Sequence, residues 1–138
     1  MPGQELIFLY GSLMLPYPTQ ARLGVEQMLE YVGPDAVAGR LFDLGPYPAL
    51  TPGPGRVSGQ VFALKDPRAM AILDRFEVCL PFEPQESEYL REQWPLLERG
   101  LTAWVYVFNR PFSGLPLIAS GDWALHQSRE QAPSSTLG

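Results

Sequence analysis

The chain has 138 residues, of which 46% are hydrophobic and 18% charged, and this length and composition predict one folded domain and exclude intrinsic disorder. The net charge of -5 opposes the phosphate backbone of nucleic acids, and the apolar stretches are far shorter than the roughly 20 residues of a membrane-spanning helix, so we expect neither nucleic acid nor membrane as a partner. The single cysteine, Cys79, excludes an internal disulfide, and with only one histidine, His126, the chain lacks the ligands of a zinc site.

The first half of the chain predicts strands and one short helix. No basic region precedes the short apolar run at residues 6–10, which favours a cytoplasmic location, and the run is typical of a central strand covered on both faces. Residues 19–31 predict a short helix with Thr19 as its cap. Residues 37–44 predict a strand that ends at Gly45, residues 51–55 a glycine- and proline-rich turn, and residues 56–64 another strand.

The second half begins with a strong helix signal. Asp66 and Pro67 suit the start of a helix over residues 67–76, and residues 80–88 predict a loop. Residues 89–97 predict a strand interrupted at Pro95, which indicates an edge strand or a bulge, and residues 101–108 predict a second strand covered on both faces. These elements predict an α+β fold with a mixed sheet curled around a cavity. We expect one domain over residues 1–126 and a polar, frayed tail over residues 127–138.

Glu77 stands out as a carboxylate on the apolar side of the predicted helix. At about 100° per residue, Met70 lies at ~0° and Glu77 at ~340°, inside the apolar stripe. An inward carboxylate loses hydration, which raises its pKa towards the range of a general acid/base at neutral pH. Alternatively, Glu77 is the first residue after the helix and turns outward. On the same wheel Asp74, at ~40°, lies on the margin of the stripe, where solvated charges are common, and Arg75 lies opposite the stripe.

The turn after the first strand is the second candidate site. Glycine at position 11 permits a sharp turn, and consecutive amides in such a turn can bind one anion, such as the carboxylate of a small ligand. The alternative is an ordinary turn that ends a strand. The turn consists of Tyr10, Gly11, Ser12 and Leu13.

Blocks of sequence around these residues resemble one known family. The clearest are FLYGSL at residues 8–13, GRLFDLGPYPA at 39–49 and LDRFE at 73–77, and further matches lie at residues 58–62, 89–91, 103–107 and 118–123. In this order they resemble the γ-glutamylcyclotransferase-like family, which includes γ-glutamylamine cyclotransferases and AIG2-like plant proteins. The resemblance extends over residues 6–123.

The resemblance implies a fold, a reaction and site residues. The fold is a small, closed or partly closed mixed β-barrel with flanking helices. The implied reaction cyclises a γ-glutamyl compound to 5-oxoproline and releases an amine or amino acid, with no cofactor and no metal. The family's acid/base glutamate corresponds to Glu77, its substrate loop to Tyr10, Gly11, Ser12 and Leu13, and a barrel tyrosine to Tyr106. Two departures bear on substrate choice: Val78, where many members have glycine, and the proline-containing residues 80–88.

Two other functions remain open from the sequence. The same cavity could serve a binding module that holds a small amine or carboxylate without catalysis. The acidic, proline-containing residues 80–95 could instead form a surface for a protein partner. The sequence identifies neither the amine that would be released nor the oligomeric state.

Overall fold

The computed structural model describes residues 5–130 and shows an α+β fold. The elements of the described chain are β1 (Leu6–Leu9), α1 (Thr19–Leu23), β2 (Leu29–Asp43), β3 (Pro48–Leu64), α2 (Arg68–Phe76), a 3-10 turn (Pro84–Glu86), β4 (Tyr89–Pro95), β5 (Thr102–Phe108) and α3 (Trp123–Glu130). The five strands form one mixed sheet in the order β2-β3-β1-β5-β4, in which only β1 and β5 pair in parallel. The predicted α+β class is confirmed; the sheet is open and partly curled rather than a closed barrel.

The short apolar run at the start of the chain forms the middle of the sheet, as predicted. β1 pairs with β3 on one side and with β5 on the other, and Ile7 and Phe8 are completely buried. Its apolar side chains pack into one continuous core with those of β3, β5 and α2. The chain that leaves β1 at Tyr10 therefore starts from a fixed position in the interior.

β2 and β3 form a long hairpin, and here the predicted turn at residues 51–55 is wrong. Ala38 pairs with Arg56 and Arg40 with Thr51, so residues 52–55 lie opposite Gly39 alone. The segment is an exposed bulge within β3 and does not reverse the chain. The reversal lies at residues 44–47, where Gly45 has a φ of 100°.

The predicted helix over residues 19–31 is too long. α1 ends at Leu23 because Gly24 adopts a left-handed φ of 74° and donates its N–H to the Ala21 carbonyl. A turn follows, and Leu29 already begins β2, eight residues before the strand predicted at Val37. Gly24 therefore marks the end of the helix, and the apolar residues after it belong to the turn and to β2.

α2 agrees with its predicted range, since it begins one residue later than expected and ends at Phe76. Asp66 Oδ1 accepts a hydrogen bond from the Arg68 amide at 3.0 Å, and the helix buries Ala69 and Leu73 against the sheet.

At the C-terminal end of the chain, residues 127–130 of the predicted tail are helical, as part of α3, and residues 131–138 lie outside the described residues. Within residues 5–130 no helix has the length and apolar character needed to cross a bilayer.

The turn between β4 and β5 curls the sheet towards β2. The Leu97 amide donates to the Ala36 carbonyl at 2.9 Å, which brings the two outer strands towards one another. The neighbouring Asp35 carboxylate accepts hydrogen bonds from the amides of Ala36 at 2.7 Å, Glu98 at 2.8 Å and Arg99 at 3.2 Å, and from Arg99 Nη1 at 2.9 Å. Asp35 therefore stabilises the curled shape of the sheet, because it binds the turn between β4 and β5 to β2.

Candidate active site

A narrow pocket lies where β1 and α2 both end. Its cavity has a volume of about 30 Å³ and opens to the surface. A cavity of this size holds one or two waters. The residues that line it are Phe8, Leu9, Tyr10, Gly11, Ser12, Leu13, Tyr47, Pro48, Phe76, Glu77, Tyr89 and Tyr106. The structure thus brings together all six residues that the sequence singles out, and their roles toward a substrate stay predictions.

The loop after β1 forms one wall of the pocket. Its turn is closed by a hydrogen bond of 3.0 Å from the Met14 amide to the Gly11 carbonyl. Glycine is required at position 11 because a Cβ there would lie 2.9 Å from Pro48 Cγ. In the described part of the chain, the amides of Gly11, Ser12 and Leu13 have no hydrogen-bond acceptor, so they are available to a ligand.

Glu77, the C-cap residue of α2, lines the same pocket as this loop. Both sequence interpretations hold in part, because Glu77 is the first residue after the helix and yet lines the pocket, where it is partly buried. Within residues 5–130 no group donates a hydrogen bond to its carboxyl. Burial first, and the charge of Asp74 second, raise the pKa of Glu77 to about 8.

Three tyrosines surround Glu77, but each donates its hydroxyl proton elsewhere. Tyr10 donates to the Tyr106 carbonyl, Tyr89 to the Pro48 carbonyl at 2.7 Å, and Tyr106 to Asp74 Oδ1 at 2.7 Å. Burial is the main cause of the raised pKa of each hydroxyl, and the charge of Glu77 contributes to all three. The three residues line the same pocket as Glu77, but their hydroxyls do not stabilise its charged form.

Asp74 corrects the sequence interpretation. The helical wheel placed it among solvated charges, whereas it is only 7% exposed and forms a bidentate ion pair with Arg91. Arg91 Nε lies 2.8 Å from Asp74 Oδ1, and Arg91 Nη2 lies 2.9 Å from Oδ2. Burial of a carboxylate requires such a partner, and the partner lies on β4, which a helical wheel cannot show. Arg75, placed opposite the stripe, is exposed as predicted.

Val78 follows Glu77 with a φ of 53°, a left-handed conformation that is strained for a β-branched residue. This is the position at which the resemblance expects glycine. Its amide donates to the Arg75 carbonyl at 3.2 Å and its carbonyl accepts from the Glu88 amide at 2.9 Å, so hydrogen bonds on both sides hold the turn. The conformation reverses the chain immediately after Glu77.

Sequence reasoning missed several residues of the pocket and its support. Tyr89 and Arg91 fall within a block that carries the resemblance, but neither was singled out. Tyr47 and Pro48 reach the pocket because the hairpin turn ends there, next to Gly11. The spacing of Asp74 and Glu77, three residues apart on one helix, was the available signal that the two carboxylates interact.

The arrangement can carry out acid/base chemistry on a small molecule. It combines a carboxyl that gains and loses its proton near neutral pH with amides that can bind an anion. Within residues 5–130 no three His, Cys, Asp or Glu side chains are grouped to hold a metal ion.

Residues 7–125 match the model of a protein family described as gamma-glutamyl cyclotransferase, AIG2-like. The fold and the pocket agree with this match, and the chain belongs to that family. The family resemblance inferred from the sequence is therefore confirmed.

Relatives in this family resemble the chain over most of its length. The gamma-glutamylcyclotransferase family protein YtfP of Escherichia coli K12 is 36% identical over 118 residues, which cover 85% of this chain and 94% of that protein. The solution structure of YtfP from Escherichia coli matches with a TM-score of 0.67 at 32% identity, covering 88% of this chain and 98% of that one. The crystal structure of an AIG2-like protein of Mus musculus shares the fold, with a TM-score of 0.65 at 24% identity and coverage of 83% and 86%.

Proposed function

We propose that the protein is an enzyme that converts a γ-glutamyl compound into 5-oxoproline and an amine or amino acid, with Glu77 as the general acid/base. The observation that carries the proposal is the position of Glu77, whose carboxyl has a pKa of about 8 and lies in one pocket with the free amides of the Gly11 turn. Family membership supports the reaction class.

The reaction needs little from the protein besides positioning and proton transfer. The α-amino nitrogen of the substrate attacks its own γ-carbonyl carbon, forms a five-membered ring and displaces the γ-nitrogen. Because nucleophile and electrophile belong to one molecule, much of the entropic barrier is already absent. The γ-carbonyl carbon exchanges one bonded nitrogen for another and keeps its oxidation state, so the proposed step requires no cofactor.

Glu77 moves the protons. As a carboxylate it accepts one proton from the α-ammonium group, and the neutral amine then attacks the carbonyl carbon. The protonated Glu77 donates to the leaving γ-nitrogen, the carbon–nitrogen bond breaks, and the regenerated carboxylate takes the second proton from the ring nitrogen. That proton finally passes to the released amine. Since both ionisation states must be accessible in one cycle, a pKa of about 8 suits the task better than the ordinary value.

The Gly11 turn supplies the complementary charge. Gly11, Ser12 and Leu13 line the pocket, and their amides have no acceptor among the residues that the structure describes. In the proposed reaction these amides bind the substrate α-carboxylate or the oxyanion that develops on the γ-carbonyl oxygen. The pocket is partly enclosed, and we place the glutamyl portion of the substrate inside it and the amine portion at its open mouth. Tyr47, which lines that pocket and is 48% exposed, contacts the amine portion of the substrate.

The direct test is an assay of the purified protein against a panel of γ-glutamyl compounds, with 5-oxoproline measured by mass spectrometry. The panel includes γ-glutamyl amino acids, γ-glutamyl-ε-lysine and L-glutamine. Release of 5-oxoproline from at least one compound supports the proposal. Binding of these compounds without release of 5-oxoproline on long incubation contradicts it and favours a binding module.

The role of Glu77 is tested by Glu77→Gln, with Glu83→Gln as the matched control. Loss of the acid/base carboxyl is expected to lower kcat on the order of 10²-fold or more. Glu83 is exposed and lies outside the pocket, so its substitution should leave kcat unchanged. A folded Glu77→Gln protein with the parent's kcat would refute the assignment.

A further inference from the structure

Asp74 joins α2 to two strands of the sheet through a cluster of hydrogen bonds. Its Oδ1 accepts from Arg91 Nε on β4 at 2.8 Å and from the Tyr106 hydroxyl on β5 at 2.7 Å, while Oδ2 accepts from Arg91 Nη2 at 2.9 Å. The Arg91 guanidinium in turn lies over the Trp104 ring, 4.7 Å from its centre. Asp74 is one helical turn before Glu77, so this cluster fixes the end of α2 that presents Glu77 to the pocket.

The cluster determines which way the Tyr106 hydroxyl points. A carboxylate paired with a guanidinium is ionised and has no proton to donate, so the hydrogen between Asp74 and Tyr106 must come from Tyr106. The other acceptor within reach is the Met70 sulfur, at 3.9 Å, which is far weaker. The Tyr106 hydroxyl has therefore already given its proton to Asp74, and Tyr106 lines the same pocket as Glu77.

We propose that Asp74 is a positioning residue: by taking the Tyr106 hydroxyl proton, it makes the Tyr106 oxygen an acceptor for the α-amino group of the substrate, held beside Glu77. This inference rests on the proposed function, and it assigns the α-amino group of the substrate to the Tyr106 side of the pocket. The α-carboxylate, which is bonded to the same carbon, is then directed to the amides of the Gly11 turn. The hydroxyl cannot stabilise an oxyanion, because its one proton is already donated.

Arg91 has a separate part in this arrangement. Its two hydrogen bonds neutralise Asp74, so Asp74 does not compete with the substrate site for an ammonium group. The residual charge of Asp74 still acts on Glu77 through the last helical turn. In the described part of the chain, the titratable groups that interact with Glu77 or share its pocket are Asp74, Cys79, Tyr10, Tyr47, Tyr89 and Tyr106. Arg91 acts on this set through its ion pair with Asp74.

A double-mutant cycle on Asp74 and Tyr106 tests the proposal. Tyr106→Phe removes the acceptor and is expected to raise KM about tenfold, as the loss of a hydrogen bond to a charged group does. Asp74→Asn is expected to raise KM severalfold. The Asn side chain can donate a hydrogen bond to the Tyr106 oxygen as well as accept one, so the Tyr106 hydroxyl proton is no longer held by residue 74. In the Tyr106→Phe background, Asp74→Asn should add less than about twofold, since its effect passes through Tyr106.

The pH profile supplies a readout that a purely structural role would not move. Asp74→Asn removes a negative charge next to Glu77, so the Glu77 pKa and the acidic limb of kcat/KM should both move to lower pH. The matched control is Asp66→Asn, which removes the same charge at the other end of α2, where Asp66 pairs with exposed Arg68. The control should leave both quantities at their parent values.

Each outcome decides the proposal. Effects of Asp74→Asn and Tyr106→Phe on KM that multiply independently would overturn it, as would an acidic limb that stays in place. If Asp74→Asn does not fold, Tyr106→Phe carries the test, because it preserves the Asp74–Arg91 pair, and an unchanged KM overturns the proposal.

If no compound yields 5-oxoproline, the proposed function fails by itself. The dissociation constant of L-glutamine, measured by calorimetry, then replaces KM, and a parent protein that does not bind L-glutamine overturns this proposal as well.

Discussion

Two carboxylates, Asp35 and Glu77, show how differently one fold can treat the same chemical group. Both are removed from bulk water, and burial by itself raises the pKa of each. At Asp35 this effect is outweighed by hydrogen bonds from Glu98, Ala36 and Arg99, so its pKa is lowered. At Glu77 no donor within residues 5–130 compensates for burial, and its pKa rises to about 8. The supply of donors, more than burial, separates the carboxylate that holds the sheet from the one that can exchange a proton.

The largest effect on stability is expected from Asp35→Ala. The substitution leaves the amides of Glu98 and Arg99 and the Arg99 guanidinium without their acceptor, and Asp35 itself is completely buried in its partly exposed pair with Arg99. Loss of these hydrogen bonds is expected to cost about 3 kcal/mol of unfolding free energy. Denaturant-induced unfolding measures the loss. The control is Glu98→Ala, which removes an exposed pair with Arg56 and should cost less than about 1 kcal/mol. Equal losses for both variants would show that Asp35 does not fasten the curl.

Glu77→Gln should stabilise the protein at high pH, opposite in sign to the effect at Asp35. The folded state binds the Glu77 proton more tightly than the unfolded chain does, so the parent loses stability as the pH rises from 4.5 to about 8. Glutamine avoids this loss. After allowance for water that enters the pocket, we expect a gain of about 2 kcal/mol at pH 9 and almost none at pH 4.

Unfolding of the parent and of Glu77→Gln by denaturant, at a series of pH values, checks this prediction. Groups other than Glu77 titrate in both proteins and cancel in the difference. A difference that is constant with pH would mean that the Glu77 carboxyl titrates alike in the folded and unfolded chains.

Val78→Gly is expected to give a smaller gain. The left-handed φ of 53° strains valine but not glycine, and the side chain is 43% exposed, so little apolar burial is lost. We expect about 1 kcal/mol of added unfolding free energy, measured by denaturant unfolding. Val78→Ala retains a Cβ and should bring no comparable gain. A destabilised Val78→Gly protein would indicate that the valine side chain contributes more by packing than its conformation costs.

Local patterns in the sequence were enough for much of the fold. The apolar run of β1 and the Asp66–Pro67 start of α2 depend on neighbouring residues, and both elements lie where predicted. The bulge at residues 52–55 could not be predicted in this way, because glycine and proline are as typical of a bulge as of a turn, and only pairing with distant residues of β2 distinguishes the two.

The candidate site shows the same limit. The helical wheel directs Glu77 inward, and the structure places it in the pocket, because the positions on one helix follow from helix geometry alone. Asp74 was misjudged because its environment depends on Arg91, seventeen residues further along the chain and on a different element. Side chains that meet across elements require the tertiary structure, and they include the groups that determine the charge state of the site.

A site-specific titration of Glu77 tests the central claim most directly. The carboxyl carbon of Glu77 can be followed by 13C NMR over a range of pH, and its resonance is identified by its absence from Glu77→Gln. We expect a midpoint of about 8. A midpoint near the ordinary value of 4.5 would show that the carboxyl is well solvated in the folded protein, and it would contradict the assignment of Glu77 as the acid/base of this pocket.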